Sequence, residues 1–316
     1  MKMKKVILIT GGTGFLGRNL APALKDEYEV ILTGRNNKQN IYAQQVTGCR
    51  VLPMDVANIE AVRDTFTETR PHVVIHAAAT KFVDLAEKQP MECVDVNVIG
   101  SQNVARVAVE KGANVVLGIS TDKAAPPVRN TYGLSKAIME RVFCSMNGKT
   151  DTKFACVRYG NVAWSTGSVL PIWKKMFEET GIVRSTGPEM RRFFFTVEDA
   201  VKLVLTALEN IETIQGKVLS RYMKAAQIED LLNLWTNHKG GSWEKMGGRP
   251  GERNDEFLIG DIELPYAYEK VYDKVTHYII SFNEKSVMPL NEGLSSANTE
   301  RLTEEEMLIL INSPKE

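Results

Sequence analysis

Of the 316 residues only four are cysteine and four histidine, and the cysteines (Cys49, Cys93, Cys144, Cys156) share no short paired spacing. That pattern suggests neither a zinc site nor a disulfide framework, and it fits a reduced, cytoplasmic setting with no bound metal. Neither sign of charge is in excess, with 39 Lys and Arg against 39 Asp and Glu. Without a basic surplus, neither nucleic acid nor an anionic membrane surface is indicated, so anionic ligands must be held by local features. No apolar run approaches the roughly 20 residues of a membrane span. The opening MKMKKVILIT carries the lysines of a secretory leader, but its apolar run is too short for a leader core and meets a glycine turn. It reads as a first strand. No internal repeat or low-complexity tract is present, and a soluble protein is expected.

What is present is alternation. Val6 to Ile9, Glu29 to Thr33, Arg50 to Leu52, Val73 to His76, Val115 to Ile119 and Phe154 to Val157 read as six strands. Helical stretches fall between them: Gly14 to Leu24, Ile59 to Glu68, Val83 to Lys111 with a break near Pro90, and Thr131 to Met146. This order predicts an α/β fold, a Rossmann-type doubly wound parallel sheet. After Gly160 the pattern loosens, and residues 161 to 192 are dominated by turn signals. Thr196 to Glu209 is a clean amphipathic helix, Gly240 to Glu252 a glycine-rich loop, and Thr303 with Glu306 a capping box. The expected division is a nucleotide-binding domain over 1–160 and a smaller α/β substrate domain over 161–316. The 196–209 helix is expected to pack back on the first domain.

GGTGFLG places Gly11, Gly14 and Gly17 between the first strand and the first helix. Glycine there permits a sharp turn and lets backbone amides reach a pyrophosphate at the helix N-terminus. Thr13, Gly14, Phe15 and Leu16 on this turn are therefore candidate dinucleotide contacts. The end of the second strand reads the ribose. It carries Arg35 and Asn36, followed by Lys38, and no carboxylate, which favours NADP weakly over NAD. Asp55, with Val56, follows the third strand and is placed to meet the adenine. Ala77, Ala78 and Ala79 follow the fourth strand, where small side chains let a cofactor approach the backbone.

Ser120 to Lys136, STDKAAPPVRNTYGLSK, gathers the chemistry. Tyr132 and Lys136 are four apart, so a helix stacks them on one face. A phenol ionises near pH 10, and bringing it near 7 takes about 4 kcal/mol of extra stabilisation of the phenolate. A neighbouring ammonium can supply much of that. Tyr132 thus reads as a general base tuned by Lys136.

With these two motifs in place, the chain resembles the extended short-chain dehydrogenase/reductases. STDKAA followed by YGLSK, then VRYGNVAWSTGSVLP, EMRRFFFTVEDAVKLV and RPGE, narrow the resemblance to UDP-N-acetylglucosamine 4,6-dehydratases of the capsule and flagellin-sugar type, over residues 5 to about 310. The resemblance implies that Tyr132 accepts the sugar 4-hydroxyl proton while hydride passes from carbon 4 to the nicotinamide. The resulting ketone acidifies the carbon 5 proton, a base removes it, an acid protonates the departing 6-hydroxyl, and hydride returns to carbon 6. By the same resemblance Asp122 is the acid and Lys123 the base. The lysine must then be neutral, which burial and neighbouring cations would favour. Thr121 would bond the substrate oxygen. Asn97 and Tyr159 join Tyr132 and Lys136 on the cofactor side. Lys81, Glu87, Arg158, Asn161, Val162, Ser168, Val169, Arg192, Arg249 and Glu252 match positions bordering the UDP-linked amino sugar. A homodimer or larger homo-oligomer is implied, serving surface or flagellin glycan synthesis of the pseudaminic-acid kind.

Three departures stand out. PPVRNTYG carries one residue more between the aspartate and the tyrosine, MRRF replaces MTRF, and GERND stands where GEKLHE is common. They leave open an enzyme that isomerises a 5,6-unsaturated UDP-sugar to the 4-keto-6-deoxy product. A 4-epimerase or reductase is the next alternative, against which the Asp122–Lys123 pair argues. The non-enzyme alternative is an NAD(P)-sensing scaffold, against which the intact tyrosine and lysine argue.

Overall fold

The structure, a computed structural model, describes residues 4–314. β-Branched runs form β1 (Lys5–Thr10), β2 (Tyr28–Gly34), β3 (Arg50–Pro53), β4 (Val73–His76), β5 (Val115–Ile119) and β6 (Lys153–Arg158). Between them lie α1 (Phe15–Leu24), α2 (Asn37–Thr47), α3 (Ile59–Thr69), α4 (Val83–Lys88), α5 (Pro90–Val94), α6 (Gly100–Glu110) and α7 (Thr131–Met146). The later strands are β7 (Asn161–Val162), β8 (Ile182–Ser185), β9 (Arg191–Phe195), β10 (Val218–Arg221), β11 (Ala225–Gln227), β12 (Ser242–Lys245), β13 (Phe257–Ile259), β14 (Ala267–Tyr272), β15 (Val275–Ile280) and β16 (Leu294–Ser295). With them come α8 (Val169–Thr180), α9 (Val197–Glu209), α10 (Ile211–Ile214), α11 (Ile228–Lys239) and α12 (Glu304–Asn312).

Nine strands make the main sheet, in the order β14-β15-β10-β6-β5-β4-β1-β2-β3. From β3 to β10 every neighbour is parallel; β15 and β14 are antiparallel additions. Helices cover both faces, so Ile7, Leu8 and Ile9 are all fully buried and the strands read as apolar runs without alternation. β1 pairs with β2 on one side and β4 on the other. Strand order reverses there, and the crevice beyond the carboxyl ends of β1 and β4 is where such sheets hold ligands.

The main sheet does not stop at residue 160. β10, β15 and β14 extend it beyond β6, which would otherwise be an open edge with unpaired backbone groups. The C-terminal half is therefore partly a continuation of the first sheet and partly a cap over it. α9 packs on α1.

Four helices are absent from the sequence reading: α2, α8, the short α10 and α11. α2 lacks an apolar stripe, burying only Asn40, Ala43 and Thr47, although Asn36 caps its start and left-handed Gly48 ends it. α8 sits in the stretch read as loose, anchored by buried Leu170 and Trp173. β12, likewise, lies inside the segment read as a glycine-rich loop. The break near Pro90 is real: α4 ends at Lys88, Pro90 opens α5, and Asp95–Ile99 is a π-helical turn before α6.

Candidate active site

A cleft of about 610 Å³ opens at the switch point. Its floor is the glycine turn, where Gly11 has φ of 64° and a Cβ would lie 2.6 Å from the Ala78 Cα. A Cβ on Gly17 would run into the Gly12 backbone, so α1 closes tightly on the turn. Gly14 caps α1 with no side-chain bond and the first turn holds no acid, leaving its amides to the cleft. Thr13, Phe15 and Leu16 line the same end, as do Met54, Asp55, Val56, Ala77, Ala78 and Ala79. Ser120 Oγ also faces the cleft and is buried without a hydrogen-bond partner. A free helix start, close backbone approach and an orphaned hydroxyl fit a dinucleotide. Arg35 and Asn36 line the adenosine end. Arg35 pairs with Glu92 at 2.9 Å in an exposed ion pair, and the Asn36 side chain accepts from Gln39 N.

Asn130 starts α7 by accepting from Gly133 N at 2.7 Å. Tyr132 and Lys136 then face the cleft together. Lys136 is 2% exposed, donates to Met139 Sδ at 3.1 Å, and has its amine pushed down to about 8 by burial. The phenol of Tyr132 moves opposite to the sequence expectation. Burial raises it well above its ordinary value, the Asp122 charge raises it further, and only a bond with Thr121 opposes them. Desolvation thus outweighs the lysine, and this arrangement keeps the phenol neutral. Tyr159 lines the cleft, stacked on Phe195 at 6.3 Å, and is likewise raised, by burial and then by Tyr132.

Asp122 is fully buried. Its Oδ1 accepts from Thr121 Oγ1 at 2.8 Å and Lys123 Nζ at 3.0 Å, while Oδ2 has no partner. Lys123 reaches the cleft, and its amine also lies 3.7 Å from Glu256 Oε1. Its neighbours are carboxylates, not the cations the sequence argument called for.

The remaining expected residues divide. Lys81, Asn161, Val162 and Ser168 line the cleft. Lys81 is exposed at the cleft, and the desolvation it meets there pushes its amine down to about 8. Ser168 Oγ is buried and unpartnered. Arg158 does not line it: fully buried, it is clamped by Glu140 at 2.7 Å and Glu263 at 2.9 Å, and so is a framework residue. Arg192 spends its fork on the backbone oxygens of Arg191, Asn254 and Arg253. Asn97, also fully buried, ties Thr80 to Ser135, whose hydroxyl donates to Tyr132 O at 2.7 Å. It braces α7 and does not line the cleft. Glu87 accepts from Thr131 N at 2.6 Å, holding its carboxyl below the usual range. Val169 opens α8 behind Ser168. Arg249 is exposed, and Glu252 accepts from Arg249 N and Thr186 Oγ1.

Sequence reasoning missed Glu256, Arg253, His76 and Phe82. Glu256 joins the site only because β13 packs near the Asp122 turn, a contact across more than a hundred residues that leaves no local signal. Buried His76 bridges Thr10 Oγ1 at 2.7 Å and Ser101 Oγ at 3.0 Å, and burial, then Lys136, pushes it down to about 3. The Phe82 ring lies where a Cβ on Gly167 would stand, bringing the 79–82 and 165–168 loops together along the cleft. Among the described residues no group of three or more His, Cys, Asp and Glu is placed to hold a metal ion.

Sheet order, glycine turn and the Tyr132–Lys136 face define an extended short-chain dehydrogenase/reductase fold. More narrowly, the chain belongs to the polysaccharide biosynthesis protein family, whose model matches residues 7–277. It is 32% identical to the UDP-N-acetylglucosamine 4,6-dehydratase (inverting) of Campylobacter jejuni, over 98% of each chain. A UDP-glucose 4-epimerase of Rickettsia bellii is 31% identical, over 98% of this chain and 96% of its own. Among solved structures, Pen from Bacillus thuringiensis superposes with a TM-score of 0.88 at 28% identity, covering 98% and 97% of the two chains.

Proposed function

We propose that the protein is a nucleotide-sugar 4,6-dehydratase acting on UDP-N-acetylglucosamine. The observation that carries this is Lys123, bonded to the buried Asp122 behind it, sharing one cleft with Tyr132 and Lys136. The last two suffice for oxidation at carbon 4; the first two are what elimination adds. A bound nicotinamide dinucleotide supplies the hydride acceptor and later the hydride.

This chain's own residues move the protons. Tyr132, resting as a neutral phenol, must first lose its proton to solvent; as phenolate it then takes the 4-hydroxyl proton, with Thr121 beside it. The 3.0 Å Lys123–Asp122 contact lets one proton cross from ammonium to carboxylate, leaving an amine and a carboxylic acid. The amine then takes the carbon 5 proton, the C5–H electron pair becomes the C5–C6 double bond, and the 6-oxygen leaves as water with the Asp122 proton. The pair ends as ammonium and carboxylate again. Neutralising Asp122 also removes one of the charges that oppose Tyr132 ionisation.

NADP is the proposed dinucleotide. No carboxylate follows β2, and Arg35 is held only by an exposed pair worth at most about 1 kcal/mol, which a 2′-phosphate can displace. Titration with NADPH and NADH, followed by fluorescence, checks this; tighter NADH binding reverses it. The uridine diphosphate would run past Ser168 and Lys81 toward Arg249, in a cytoplasmic homo-oligomer.

The deciding experiment is incubation with UDP-N-acetylglucosamine without added reductant. A product lighter by one water, with no net nicotinamide absorbance change, is expected. Conversion to the 4-epimer would establish the second reading, which the 31% identity to the Rickettsia epimerase favours. Stoichiometric absorbance change would mean a reductase, and no turnover of UDP-N-acetylglucosamine or its 5,6-unsaturated derivative a scaffold.

A further inference from the structure

Glu256 is 3% exposed and meets cations from three parts of the chain. Arg253 Nε holds its Oε2 at 2.7 Å, Arg192 Nε lies 3.9 Å from Oε1, and Lys123 Nζ lies 3.7 Å from the same oxygen. Burial alone would push this carboxyl up, yet Lys123, Arg192 and Arg253 together hold it below the ordinary range. Its backbone is fixed as well, N donating to Ser296 Oγ at 3.0 Å and O accepting from Ser296 N at 2.8 Å. Arg253 is itself tied to Pro127 O at 2.7 Å and lies over the Phe257 ring. An immobile anion thus faces the amine from the side opposite in sequence to Asp122.

We propose that Glu256 is a positioning residue for Lys123 that sets how readily the Lys123–Asp122 pair passes its proton. This rests on the dehydratase reading. Two carboxylates face the amine, and the two arginines reach it only through Glu256; Tyr132, Lys136 and Tyr159 are the other titratable groups lining the cleft beside it. Glu256 therefore pulls on the amine against Asp122, Arg192 and Arg253 limit how strongly, and the balance sets how readily the pair passes its proton. Because the arginines keep the carboxylate paired, Glu256 stays in place when the amine turns to substrate.

The test separates the two half-reactions across a pH series. Hydride abstraction is read by the nicotinamide absorbance transient, elimination by exchange of the carbon 5 hydrogen with deuterated solvent. In Glu256→Gln the exchange profile should move to lower pH by about one unit, a roughly tenfold gain on its acid limb, with the transient unchanged. Arg253→Gln leaves Glu256 less shared and should move the profile the other way; Glu256→Asp should restore it. Opposite displacements cannot come from general damage, and the arginine variant serves if the glutamine variant does not fold. Profiles that stay put, or a transient that falls in parallel with exchange, overturn the role of Glu256. Wild-type protein with neither transient nor water loss overturns the functional reading and this inference with it.

Discussion

Lys136 is a buried amine whose only hydrogen-bond partner is a sulfur. Its folded value of about 8 lies below the ordinary 10.5, so below pH 8 both folded and unfolded chains carry the charge and the folded one bears the full cost of burying it. That cost fades as pH rises from about 8 toward 10.5. Lys136→Met should accordingly be more stable than wild type at pH 7, by about 2–3 kcal/mol, with the gap closing by pH 10. Urea midpoints at the two pH values measure it, and the same variant should be inactive. Tyr132→Phe should lose roughly 10²–10⁴-fold in the nicotinamide transient while its thermal midpoint holds, because a high-lying buried phenol contributes little charge to the fold. Tyr132 and Lys136 were legible from sequence because i and i+4 is a local relation. Arg158 was misread because its role depends on Glu140, 18 residues away, and Glu263, 105 away.

Among elements, α7 carries the phenol and the lysine, but its place is set by its neighbours. Glu87 from α4 and Asn130 meet its first turn, Asn97 braces it through Ser135, and Glu140 ties it to β6 and to the Asp261–Tyr266 turn through Arg158. Arg158→Met would leave two buried carboxylates unpaired, and a loss of about 3–5 kcal/mol is expected, read from thermal or urea unfolding. Hydrogen exchange should rise first over 256–266, where the ion pair to Glu263 is lost. A Cβ on Gly133 would collide with Lys123 O. Gly133→Ala should therefore shift the Asp122–Lys123 turn against α7 and abolish dehydration while dinucleotide binding persists, which fluorescence titration tests. The strands and this helix were visible because burial on two faces and a long periodic stretch both write themselves into composition. α2 was not, since a helix lying on the surface with three small or polar residues inward has no stripe to display.

On the scale of the molecule, α4, α5 and α7 pack side by side and expose Leu85, Met91, Val94, Leu134 and Ile138. Met91 is 80% exposed, more than an isolated apolar side chain needs to be. A homodimer through these helices is expected in sedimentation experiments, and Met91→Asp with Leu134→Asp should yield monomers of unchanged secondary structure. The expected boundary at residue 160 missed the way the sheet is finished, because β10, β14 and β15 carry no mark of which edge they will join. Their placement bears on how relatives of this protein can be recombined. Val218 to Ser220 ladder directly onto Cys156 to Arg158, so a hybrid spliced at 160 would join one parent's strand to another's inside a continuous hydrogen-bonded layer. Grafting one enzyme's dinucleotide preference onto another's sugar preference requires exchanging loops at the sheet's rim, never halves.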